Sequence, residues 1–181
     1  MNDGPGVLRD WSPGDGAWYA AQLTDPDIQR FTTERATTTA ADFRAALEAL
    51  RRNADQAGFA IVDPSSGELA GNIAADRVSP GLAEVSYWVA PGVRRRGLAS
   101  HALTQLCTWI SDHWQIREIT LWTHAGNTAS QNVARNAGFR YLPVRDEVRM
   151  VGNQEWPARW YSLIVDRPGP EQPHDDAHPI H

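Results

Sequence analysis

Apolar and polar positions recur along this chain with two different periods, and the switches between them outline the fold. Behind Asp42, whose short carboxylate suits a helix N-cap, Phe43, Ala46, Leu47 and Leu50 recur at helical spacing and predict a helix. A longer helix is predicted from Leu98, with Leu98, Ala102, Leu106, Trp109, Ile110 and His113 along one face. Two shorter helices are read over residues 16–23, after Ser12-Pro13-Gly14-Asp15, and over residues 129–137, with Gly138 as C-cap. Strand-type runs fall at 7–11, 58–62, 69–74, 83–89 and 118–123. Asp63-Pro64-Ser65-Ser66-Gly67 joins the second and third as a hairpin-type connection. Two last strands, 139–150 interrupted at Pro143 and 156–165, meet at the turn Gly152-Asn153.

Helices and strands alternate, and a β-hairpin closes the chain. The expected class is α/β in the mixed (α+β) sense, with a partly antiparallel sheet flanked by helices rather than a doubly wound one. No repeat or linker interrupts residues 7–165. Residues 1–165 therefore read as one domain, large enough for a proper core, and residues 166–181 as a disordered polar tail.

Composition narrows the partners. A net charge of −5 disfavours nucleic acid as a general partner. No apolar run approaches the ~20 residues that span a bilayer, and Met1-Asn2-Asp3-Gly4-Pro5-Gly6 lacks the basic and apolar regions of a signal peptide. A cytoplasmic protein with no membrane partner is expected, as a monomer or homodimer. All 17 basic residues are arginine, which points to a GC-rich bacterial genome. Cys107 is the only cysteine, which excludes an intrachain disulfide and a cysteine metal site; its helical context predicts a buried core thiol. His174, His178 and His181 lie in the expected tail, and no metal is expected.

One stretch carries candidate chemistry. The run Glu84-Val85-Ser86-Tyr87-Trp88-Val89 ends at Pro91-Gly92, and Val93-Arg94-Arg95-Arg96-Gly97-Leu98-Ala99 leads into the long helix. Such a strand–turn–helix aims backbone N–H groups and a helix N-terminus at one point, an arrangement that holds phosphate. Gly97 permits close approach of an anion to the backbone. The other reading is a solvated basic turn, and Arg-x-x-Gly-x-Ala alone is a weak pattern. A P-loop is excluded because no Gly-Lys-Ser/Thr follows, and the dinucleotide fingerprint Gly-x-Gly-x-x-Gly is absent. A second segment, Asn127-Thr128-Ala129-Ser130 followed by Gly138-Phe139, strengthens the phosphate reading.

Together, Tyr87-Trp88-Val89-Ala90-Pro91…Arg94-Arg95-Arg96-Gly97-Leu98-Ala99 and Asn127-Thr128-Ala129-Ser130…Ala137-Gly138-Phe139 resemble the GNAT superfamily of acyl-CoA-dependent N-acetyltransferases, most closely its RimJ/RimL-type branch. The resemblance covers residues 7–165 in element order and 84–139 in motif. It implies acetyl-CoA as co-substrate, with pyrophosphate on the Arg94, Arg95, Arg96, Gly97, Leu98, Ala99 turn. Pantetheine would lie in the gap where the strand at Tyr87, Trp88 and Val89 splays from its neighbour, pairing with its backbone. It further implies that Asn127 hydrogen-bonds pantetheine, that Ser130 sits near the sulfur, and that Asn132 approaches the adenosine end. For Asn127 and Ser130 the alternative is helix capping.

Acetyl transfer to an amine needs a base for the ammonium proton, donors for the oxyanion, and help for the departing thiolate. By period-two alternation Glu84 shares a strand face with Ser86 and Trp88, so it is the leading base if Val85, Tyr87 and Val89 face the core. A surface carboxylate paired with arginine is the alternative for Glu84. His124, on the face of Thr120 and Trp122, is the second candidate base. Glu34, in the loop Phe31-Thr32-Thr33-Glu34-Arg35, is a candidate holder of a cationic acceptor, and Trp88 and Trp122 are candidate walls of an amine pocket. The favoured acceptor is a primary amine of a small molecule; the runner-up is the N-terminal α-amine of a ribosomal protein. A non-catalytic acyl-CoA-binding sensor is the competing class, for which Glu84 and Ser130 would be superfluous.

Overall fold

The computed structural model describes residues 7–165; the expected tail, with its three histidines, and the first six residues lie outside the described residues. The elements are β1 (Leu8–Asp10), α1 (Gly16–Gln22), α2 (Pro26–Phe31), α3 (Ala40–Arg52), β2 (Gln56–Val62), β3 (Leu69–Ser79), β4 (Gly81–Val89), α4 (Leu98–His113), β5 (Ile116–His124), α5 (Thr128–Asn136), β6 (Arg140–Tyr141), β7 (Glu147–Val151) and β8 (Gln154–Ile164). One eight-stranded sheet runs β1-β2-β3-β4-β5-β8-β6, with β7 also paired to β8. Every pairing is antiparallel except β4–β5. The mixed, partly antiparallel class and the closing hairpin, β7–β8, are as expected.

Alternation along the strands sorts the two faces. Val85 is buried, and Tyr87 and Val89 pack on the same large core, beneath α4 and α5. Ile73, Leu121 and Tyr161 join Leu103, Leu106 and Ile110 of α4 there, and burying each such side chain contributes ~1.5–3 kcal/mol. The opposite face is covered by α1 to α3 in two smaller clusters, Trp11–Phe43–Leu47–Ala60 and Leu23–Ile28–Trp88. Cys107 is buried as expected, and its thiol is pushed up to about 12 by that burial. Among the described residues no helix is long and apolar enough to cross a membrane.

Several local expectations are corrected. α3 opens at Ala40 rather than Asp42: Thr39 is the N-cap and Asp42 the third residue of a reciprocal capping box, its carboxylate accepting from the Thr39 N–H at 2.8 Å. α2 was not anticipated. Asp25 caps it by accepting from the Ile28 N–H at 3.0 Å, and Pro26 fits a first helical turn, where its missing N–H costs nothing. In α4 the sheet lies under Leu103 and Cys107 as well, so the buried stripe turns away from His113, which is exposed and stacks on the half-buried Trp109 at 4.4 Å. The run 139–150 divides into β6, a 3-10 turn at Pro143–Arg145, and β7, because Pro143 has no N–H to continue a ladder.

Candidate active site

The parallel ladder between β4 and β5 begins at Gly81↔Ile116 and ends at Glu84↔Thr120. Beyond it both strands continue, β4 held by β3 as far as Val89 and β5 held by β8 as far as His124. The sheet therefore forks. Over residues 85–89 the β4 edge facing β5 has no ladder partner, so its amides are available to another hydrogen-bonding chain.

A cavity of about 540 Å³ occupies the fork on the α4/α5 side and extends to α2. Tyr87, Trp88 and Val89 line it from β4, Arg94, Arg95 and Gly97 to Ser100 from the turn, and Asn127, Ser130 and Asn132 from α5. Of the residues assigned to coenzyme A by resemblance, Arg96 alone does not line it; its guanidinium pairs with Asp63 in the β2–β3 connection at 2.9 Å.

At the turn end, Gly97 is the N-cap of α4 with φ 77°, and no side chain caps the helix. The first-turn amides of α4 are thus open to an external acceptor. A Cβ built on Gly97 would meet nothing within 4 Å, so the space beside it is free for an anion. Arg95 also adopts the left-handed conformation, φ 63°, a costly state for a non-glycine residue. The three arginines diverge. Arg95 is exposed and makes no ion pair among the described residues. Arg94 is fully engaged: Nε donates to the Val89 carbonyl at 3.1 Å, and the two terminal nitrogens reach Asp27 at 3.0 Å and Asp25 at 2.5 Å. Arg94 therefore ties α2 to the end of β4. The carboxyl of Asp25 lies below its usual range: its burial would raise it, but the Arg94 and Ile28 donors outweigh that together.

At the other end, Asn127 caps α5, its Oδ1 accepting from the Ser130 N–H at 3.0 Å. Ser130 keeps its hydroxyl for other work. Oγ lies 2.9 Å from the Tyr87 hydroxyl, which also reaches the Ser130 carbonyl at 3.1 Å. Burial pushes the Tyr87 phenol far above its ordinary value, so it keeps its proton. Tyr87 was read only as a core side chain; alternation gives its face and not the reach of its hydroxyl. Asn132 lines the cavity and accepts from Arg135 at 3.1 Å.

Glu84, Trp122 and His124 stand on the opposite face, outside this cavity. Glu84 sits on the last rung of the β4–β5 ladder, and Trp122 Nε1 donates to its Oε1 at 3.0 Å. Burial raises the Glu84 carboxyl above its ordinary value; the Trp122 N–H and Arg149 oppose that, and Asp76 and Glu147 add to it. Arg149 lies over the Trp122 ring at 4.6 Å. His124 Nδ1 accepts the Gly126 N–H at 2.9 Å, so the neutral ring carries its proton on Nε2 and has no free lone pair. That tautomer suits a base poorly. The His124 ring touches Phe31 of α2 at 5.6 Å, closing one flank of the fork.

Glu34 lies apart from Glu84, in a second cavity of about 430 Å³ beside α3. Tyr19 donates to its Oε1 at 2.6 Å and Trp88 Nε1 at 3.2 Å. Trp88 is buried between Trp18 and Tyr19, so it supports the wall more than it forms an open amine box. Trp88 lines the first cavity, and Trp122 lines neither of these two. Among the described residues no group of His, Cys, Asp and Glu is arranged to hold a metal ion.

The GNAT acetyltransferase domain matches residues 7–140. Comparison with curated proteins by sequence yields no match. Among solved structures the fold is similar to RimL, a ribosomal L7/L12 α-N-protein acetyltransferase in complex with coenzyme A, at 18% identity and TM-score 0.77, over 90% of this chain and 98% of that one. It is also similar to spermidine N-acetyltransferase from Vibrio cholerae in complex with CoA and spermine, at 14% identity and TM-score 0.75, over 87% and 94% of the two chains. A third, the microcin C7 self-immunity acetyltransferase MccE in complex with acetyl-CoA and AMP, gives 15% identity and TM-score 0.76, over 87% and 91%. At these identities the likenesses show a shared fold. With a forked β4–β5 pair, an uncapped helix behind an arginine turn and a domain match over most of its length, the chain belongs to the GNAT family and is an acetyl-CoA-dependent N-acetyltransferase.

Proposed function

We propose that the chain acetylates a primary amine of a small molecule, with Glu84 as general base and Ser130 as hydrogen-bond donor to the departing thiolate. The observation that carries this reading is the position of Glu84 at the vertex of the fork. A thioester lying in the cavity would present its carbonyl at the gap, and the amine would approach from the Glu84 face. The ammonium proton passes to the carboxylate, directly or through water. The carboxylate passes that proton to solvent, the neutral nitrogen attacks the carbonyl carbon, the C–S bond breaks with its electron pair on sulfur, and the second proton shed by the nitrogen goes to the carboxylate. A carboxyl whose affinity for protons is raised by burial is a stronger base than an exposed one. The diphosphate would rest on the α4 amides and Arg95, and Asn127 and Asn132 would contact the pantetheine and adenosine parts.

Two features support a small cationic acceptor. Asp76, Glu84 and Glu147 outnumber Arg149 in the electrostatics around Glu84, which favours a cation. The Phe31–His124 contact closes one flank, which disfavours an extended polypeptide passing through. A protein N-terminal α-amine is the second reading, favoured by the fold likeness to RimL. The test is a free-thiol assay with acetyl-CoA and two panels, small primary amines and peptides bearing ribosomal-protein N-termini. The best small amine should exceed the best peptide in kcat/KM by at least about tenfold, the factor given by 1.4 kcal/mol. A peptide turned over faster than every small amine overturns the preference.

A further inference from the structure

The Tyr87 side chain is at once core and site. Its ring packs in the large core, while its hydroxyl reaches the cavity at Ser130. Three oxygens meet there with two protons between them. The Ser130 carbonyl can only accept, whereas either hydroxyl can donate to the other. When the Tyr87 O–H is given to the carbonyl at 3.1 Å, the 2.9 Å contact is left to the Ser130 O–H; when it is given to Oγ, the serine proton is free.

We infer that Tyr87 is a positioning residue for Ser130: it fixes Oγ at the cavity wall and, by turning its own O–H from the Ser130 carbonyl to Oγ, frees the serine proton for the sulfur. The inference rests on the Ser130 role proposed above. The balance is simple. The N–C bond forms and the C–S bond breaks. The sulfur takes the electron pair, the proton that the attacking nitrogen sheds goes to Glu84, which has already handed the ammonium proton to solvent, and the serine proton hydrogen-bonds the thiolate. No proton leaves Tyr87. Hydroxyl rotation within such a trio needs no movement of heavy atoms, and a chain of hydrogen bonds strengthens as its end gains charge.

The test compares Tyr87→Phe, Ser130→Ala and the double variant in steady-state turnover, with coenzyme A affinity measured by calorimetry. Tyr87→Phe should lower kcat about 3–10-fold, the range of one hydrogen bond, and leave CoA affinity and KM for acetyl-CoA within about twofold. The double variant should be no slower than Ser130→Ala alone, because the tyrosine acts only through the serine. A fluorinated tyrosine at position 87 keeps the core filled and the hydroxyl as a stronger donor, and should retain at least wild-type kcat. Losses that multiply in the double variant, a loss confined to CoA affinity, or a fluorotyrosine protein as slow as Tyr87→Phe would each overturn the inference while leaving the Ser130 role standing. Wild-type kcat in Ser130→Ala would instead remove the Ser130 role, and this inference with it.

Discussion

The two halves of the site are built in different ways. The coenzyme half is mostly backbone: a left-handed Gly97, a left-handed Arg95, the uncapped amides of α4 and the unpaired edge of β4. The proposed acceptor half is made of side chains from separate elements, Glu84 on β4, Trp122 and His124 on β5, Arg149 on β7 and Phe31 on α2. Backbone recognition suits a ligand that is always the same. Side-chain recognition suits one that differs from enzyme to enzyme. Substitutions should therefore separate the halves cleanly, with rate lost on one side and coenzyme affinity on the other.

The largest expected effect is Glu84→Gln, which should lower kcat by roughly 10²–10³-fold with CoA affinity unchanged. The pH profile sharpens the point. The base works only when deprotonated, and burial raises its proton affinity, so the acid limb of kcat/KM should lie above the ~4.3 of an ordinary glutamate and vanish in Glu84→Gln. A variant that keeps full activity would move the base elsewhere.

Next in size is Gly97→Val. A Cβ there meets nothing within 4 Å in the free protein, yet φ 77° is strained for valine, by ~1–2 kcal/mol. Calorimetry should show CoA affinity reduced at least about tenfold, because the new side chain occupies the space offered to the anion, while the protein stays folded. Unchanged affinity in a folded variant would break the backbone account of this half.

The smallest and most discriminating contrast sets Arg94→Ala against Arg95→Ala. Arg95 is exposed and makes no ion pair among the described residues, so its loss should weaken CoA binding a few-fold, in a manner suppressed by salt, without changing the melting temperature. Arg94 serves Asp25, Asp27 and Val89, so its loss should lower the melting temperature and raise the acceptor KM as α2 loosens. Identical behaviour of the two variants would mean that the clasp has no consequence.

Legibility followed contiguity. The turn at 93–99 could be read because its signal is consecutive: strand end, arginines, glycine, apolar helix. The face of Glu84 followed from simple alternation, and the helix of Ser130 from its cap and Gly138. What escaped depends on residues far apart in the chain. The partners of Arg94 lie 67 and 69 residues away, and the Tyr87 hydroxyl finds Ser130 across 43. Trp88 and Trp122 were read as one pocket because they lie on adjacent strands. The fork sends them to different neighbours, one to Glu34 and the other to Glu84. α2 had a local signal, Asp25-Pro26, but only six residues carry it, too few for helical periodicity to declare itself.

The rung at Glu84 and Thr120 has a consequence for how such a catalyst can diversify. A base carried on a loop drifts whenever that loop is remodelled for a new substrate. Here the proposed base stands on the final rung of the β4–β5 ladder, fixed by the same pairing that opens the gap beside it. Walls contributed by Phe31 or Arg149 can be exchanged without shifting the carboxylate from the crossing point between the two faces. Substrate choice and proton abstraction become separately adjustable, and new acceptors can be tried without rebuilding the chemistry.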